Sequence, residues 1–75
     1  MSDLAEAQRR IRDRIIQDRP AAIAGPAPFW ARLIARPVPL TTAALEALAE
    51  QGVVRRQPLN GEIFYIADPL HAPQR

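Results

Sequence analysis

At Gly52 the apolar period of this chain changes from that of a helix to that of a strand, and this change bounds what the chain can fold into. Before it, Leu45 and Leu48 recur at helical spacing with Ala44 beside them. After it, Val53-Val54-Arg55-Arg56-Gln57 and Ile63-Phe64-Tyr65-Ile66-Ala67 flank Pro58-Leu59-Asn60-Gly61-Glu62. Asn-Gly between two β-prone runs signals a two-residue hairpin, because both turn positions need positive φ. With Asn60 and Gly61 at the corner, Arg56 faces Tyr65 and Arg55 faces Ile66. Val53, Phe64 and Ile66 then share one side, and Val54, Ile63 and Tyr65 the other. One side has to cover the helices, which leaves the second as an apolar contact surface. Pro58 cannot donate to a ladder, so the first strand is expected at a sheet edge.

Three helices are expected upstream. The first spans residues 2–18, with Ser2 as N-cap and Asp3 and Glu6 in the positive first turn. Leu4, Ala7, Ile11 and Ile15 form its apolar stripe. Glu6–Arg10, Arg9–Asp13 and Arg14–Asp18 are spaced as i,i+4 ion pairs, so its arginine-rich face reads as a solvated, internally paired surface or as a phosphate-binding one. Pro20 ends this helix, and Arg19–Ala27 reads as a linker. A second helix covers residues 28–36, with Pro28 suited to its first position and Trp30 expected in the core. Arg36-Pro37-Val38-Pro39-Leu40 is expected to be extended, since each proline disfavours helix in the residue before it. The third helix covers residues 41–51, capped by Thr41 and ended by Gly52, with Leu40 and Leu45 as a hydrophobic staple. The fold class is thus α+β, three helices followed by a C-terminal β-hairpin over residues 53–67. It forms one domain over residues 1–75, with residues 68–75 as a flexible tail.

Composition narrows the function classes. At 75 residues the apolar core is small, and with no cysteine and one histidine neither a disulfide nor a structural metal reinforces it. A homodimer sharing apolar surface is one remedy. The ten basic residues are all arginine, and eight carboxylates leave a net charge of only +2, which permits nucleic-acid binding without demanding it. The longest uncharged run, Pro20–Ala31, has 12 residues and three prolines, short of the roughly 18–20 apolar residues of a membrane span. No basic patch followed by an apolar stretch marks a secretory signal, and a cytoplasmic location is expected.

Leu45-x-x-Leu48-x-x-x-Gly52-Val53-Val54-Arg55-Arg56, followed by Asn60-Gly61-Glu62 and Phe64-Tyr65-Ile66, resembles the recognition-helix-to-wing segment of bacterial winged helix-turn-helix regulators. The likeness covers about residues 40–68. It implies a winged-helix-like fold in which Thr41, Thr42, Ala43 and Glu46 face the major groove of double-stranded DNA. It also implies that Arg55, Arg56 and Asn60 lie on the wing, near backbone or minor groove. Arg32 and Arg36, one turn apart on the second helix, are further phosphate-contact candidates. The chain departs from the family in its reading helix, which has no arginine, lysine or asparagine and carries Glu46 and Glu50. The alternative is a winged helix that docks on a larger protein complex through Val54, Ile63 and Tyr65, without DNA.

Catalysis is not expected. The only serine sits at a helix cap, His71 lies in the tail, and no glycine-rich phosphate loop exists among three scattered glycines. No cofactor is implied, and no acidic cluster is spaced to ligate a metal.

Overall fold

In a computed structural model, which describes residues 2–68, the chain folds as an α+β unit. Its elements are α1 (Asp3–Gln17), β1 (Ile23–Pro26), α2 (Ala27–Ile34), α3 (Val38–Glu50), β2 (Arg55–Leu59) and β3 (Glu62–Ala67). The strands form one antiparallel sheet in the order β1-β3-β2. Three helices, a terminal hairpin and this sheet make the arrangement winged-helix-like. The tail expected at 68–75 lies, beyond Asp68, outside the described residues.

Local signals set several boundaries. The Ser2 hydroxyl accepts from the Ala5 N–H at 3.0 Å and opens α1. Arg10 pairs with Glu6, Arg9 with Asp13 at 3.5 Å and Arg14 with Asp18 at 3.4 Å, so the spaced charges meet as helical geometry requires. At the end of α3 the Val53 N–H donates to the Leu48 carbonyl at 2.9 Å and the Gly52 N–H to that of Ala49 at 3.1 Å. Gly52 has φ 81°, which completes a Schellman cap. Asn60 and Gly61 have φ 52° and 78°, the signature of a type I′ turn. Arg56 pairs with Tyr65 and Arg55 with Ile66, and β2 lies at a sheet edge, as expected of a strand holding Pro58.

Three expectations are corrected. The segment read as a linker contains β1, whose ladder partner β3 lies some forty residues away, where no local periodicity reports it. The second helix stops at Ile34 because Ala35 adopts the left-handed conformation, φ 57°, ahead of Arg36. The stretch expected to be extended, Val38–Leu40, is instead the first turn of α3. Pro37 is its N-cap, and Pro39 falls where the missing N–H would have no intrahelical partner.

The core forms where α1, α2, α3 and one sheet face meet: Ile11, Trp30, Leu45 and Leu48 are wholly buried, with Ile15, Ile34, Val54 and Tyr65 around them. Trp30 Nε1 donates to the Tyr65 carbonyl at 3.1 Å, which satisfies its polar end and fastens α2 to β3. The α1 stripe is buried from Ala7 onward, whereas Leu4 stays exposed.

Candidate nucleic-acid and protein interface

The early start of α3 changes what its side chains can do. Thr41 is an interior residue, not a cap. It is wholly buried, and its hydroxyl donates to the Pro37 carbonyl at 2.9 Å. It therefore has no path to a DNA base or phosphate. Thr42 is half-buried and donates to the Val38 carbonyl at 2.9 Å. Ala43 is exposed, as the resemblance implies. Glu46 is turned onto the hairpin instead of outward: it accepts from Arg56 at 2.7 Å and from the Tyr65 phenol at 2.5 Å. Solvent thus meets Val38, Pro39, Ala43 and Glu50 on α3, with Thr42 and Glu46 at the margin.

The arginine candidates divide into two kinds. Arg36 lays its guanidinium across Glu6, Nε to Oε1 at 3.0 Å and Nη2 to Oε2 at 2.7 Å, a bidentate pair joining the α2–α3 connection to α1. Arg36 and Arg10 together hold the Glu6 carboxyl down to about 2. Arg56 is paired with Glu46. Arg32 and Arg55 are exposed, and among the described residues they have no ion-pair partner. Asn60 is exposed at the hairpin corner. Of the sequence-level DNA candidates, then, Thr42, Arg32, Arg55 and Asn60 are accessible with side chains not committed to an ion pair. Thr41 is inaccessible, and Arg36 and Arg56 are engaged by carboxylates.

The alternative contact face is also corrected. Val54 and Tyr65 are the buried side of the hairpin, 4% and 3% exposed, because Ile23 and Gly25 of β1 extend the same face over the helices. Burial, and then the hydrogen bond to Glu46, push the Tyr65 phenol up to about 12. Ile63 stays 40% exposed because it lies near the turn, beyond the reach of the helices. The open side of the sheet carries Ala24, Pro26, Phe64 and Ile66, bordered by Arg55 and Gln57 on β2. Both edge strands hold a proline, Pro26 and Pro58, which interrupts the donor row that an added strand would need.

Two surface grooves lie among the described residues. One, between α1 and α2, is lined by Arg9, Arg10, Asp13, Arg14, Gln17, Leu33 and Ile34, its arginines already facing carboxylates. The other opens at the α2–α3 corner, beside Arg32 and Val38. Sequence reasoning missed this second groove, and it missed the Glu46 clamp. The clamp joins residues ten and nineteen apart across the Gly52 turn, which no periodic pattern encodes. Among the described residues no three His, Asp or Glu side chains converge as metal ligands do, and no helix is long and apolar enough to cross a membrane.

The fold and these surfaces define a small α+β, winged-helix-like chain. Comparison with protein-family models, with curated proteins and with solved structures finds no match, so the likeness rests on the order of elements and the strand order alone.

Proposed function

We propose that this chain is a winged-helix-like module that docks on a protein partner, without catalysis and without reading DNA. The observation that carries this reading is the outward side of α3. In winged-helix regulators that helix enters the major groove. Here its thirteen residues contain no cation, and of its two carboxylates Glu50 is exposed while Glu46 is held on the hairpin by Arg56 and Tyr65. A carboxylate set against a polyanion is repelled, and arginine, asparagine or glutamine is what bidentate base recognition uses. Two of the four arginines that the resemblance and the second helix offer to phosphate, Arg36 and Arg56, are neutralised within the fold. The apolar surface of the hairpin, Leu59 and Ile63 exposed at its end with Phe64 and Ile66 half-buried on the sheet, is the kind of surface a protein partner covers.

A second reading, contact with DNA backbone through the hairpin, is favoured by one observation: Arg55 and Asn60 lie exposed on it without a carboxylate partner among the described residues. One experiment separates the two. Fluorescence anisotropy of a labelled mixed-sequence duplex is followed with increasing chain concentration at about 50 mM salt, where phosphate contacts are strongest. Protein docking predicts no saturable binding. Saturable binding that weakens steeply with salt, and is lost when Arg55 and Arg56 are both replaced by alanine, sinks the docking proposal.

A further inference from the structure

The groove at the corner of α2 and α3 is used by neither reading. Its walls are apolar: Ala31 and Ala35 come from α2 and its cap, with Pro28 beside them, and Pro37 and Val38 come from the start of α3. Val38 is 41% exposed there. The groove measures about 500 Å³ and is open to solvent.

The charged side chains lining it are Arg32 and Arg36, and of these two only Arg32 has no ion-pair partner among the described residues. Arg36 spends its fork on Glu6, whereas Arg32 is exposed. The first turn of α3, which borders the groove, has no side-chain cap and no acidic residue, so the positive end of its dipole adds to the same field. The complement of this surface is an anionic group adjoining an apolar one. A DNA backbone supplies only the first, and it would also have to pass Glu50 farther along the exposed side of the helix.

We infer that this groove docks a short peptide segment of a partner protein in which a carboxylate side chain lies beside an aliphatic or aromatic one. The carboxylate pairs with Arg32, and the apolar side chain covers Ala31, Ala35 and Val38. This inference rests on the protein-docking reading and names the surface and the partner's chemistry.

The test is a selection of phage-displayed random peptides on the full chain, followed by affinity measurement and amide-shift mapping by NMR with one enriched peptide. Enriched sequences are expected to place Asp or Glu beside Leu, Ile, Phe or Trp, and to shift the Ala31, Ala35 and Val38 amides. Arg32→Glu is expected to weaken binding by about tenfold or more, while Arg55→Glu, which removes an equal charge elsewhere, leaves it unchanged. Peptides that bind the Arg32→Glu chain equally well, or that shift Phe64 and Ile66 instead, overturn the groove but leave protein docking standing. A selection that enriches nothing also overturns the groove. Accompanied by salt-dependent duplex binding, that outcome overturns both.

Discussion

The phenol of Tyr65 donates to the Glu46 carboxylate at 2.5 Å, and the same carboxylate accepts from Arg56 at 2.7 Å. One acidic side chain on α3 thereby holds both strands of the hairpin against the helices. Tyr65 is the sole tyrosine, so ultraviolet difference titration reads it alone. Its ionisation is expected near 12, raised first by burial and then by the hydrogen bond to Glu46. Glu46→Gln is expected to move it back toward 10 without reaching it, because burial remains. A folded value above the unfolded one means the native state holds the proton longer. This contribution to stability is present below pH 10 and is lost as pH rises toward 12.

Glu6 has the opposite sign. Arg36 and Arg10 hold its folded value at about 2, below that of an unfolded carboxylate. The pair contributes above the unfolded value near 4.5, and the contribution is lost as pH falls from there to about 2. Urea denaturation at stepped pH is expected to show the wild-type midpoint falling across this window. Glu6→Gln is expected to start lower at neutral pH and to change less. An equal acid response in both chains counts against the pairing.

Two positions that end helices are both expected to favour glycine, so introducing it at one and removing it at the other should change stability with opposite signs. Ala35 sits at φ 57° after α2, with the Arg36 N–H bonded to the Ala31 carbonyl at 3.1 Å, the place where Gly52 sits after α3. A side chain in the left-handed region costs about 1–2 kcal/mol, part of which glycine's greater unfolded freedom returns. Ala35→Gly is therefore expected to stabilise the chain by up to about 1 kcal/mol and Gly52→Ala to destabilise it by about 1 kcal/mol or more. A Cβ at Gly52 meets nothing within 4 Å, so its cost is conformational, without a clash. Chemical denaturation checks both signs.

Gly25 is constrained by a neighbour instead. A Cβ there lies 2.3 Å from Phe29 Cδ2 and 2.7 Å from Cγ, so the ring of Phe29 must move before any larger residue fits on β1. Gly25→Ala is expected to cost about 1–3 kcal/mol. Phe29→Ala removes the ring and leaves only its Cβ, 3.0 Å away, so the double variant should be less destabilised than the two single losses added together. Additive losses in a double-mutant cycle would place the strain elsewhere.

Features carried by neighbouring residues were legible before any coordinates. Ser2, Gly52 and Asn60-Gly61 act through backbone groups one to five residues away, and the cap, the helix end, the turn and the hairpin register all follow from them. The candidate site was legible only as residue types. Arg36 and Arg56 read as cations for phosphate until Glu6 and Glu46 are seen across thirty and ten residues of chain. Thr41 reads as a cap until the prolines at 37 and 39 prove compatible with a helix start, which carries it one turn inward.

The sequence alone determined that three helices precede a hairpin, where the hairpin bends and that α3 carries only acidic charge, because each depends on local dihedral preference or on charge counted along one element. Tertiary structure decided that β1 exists, that Val54 and Tyr65 face inward and that, among the described residues, Arg32 has no carboxylate partner while Arg36 is paired with Glu6. Those outcomes depend on which distant surfaces meet, and burial and pairing across elements have no period to read.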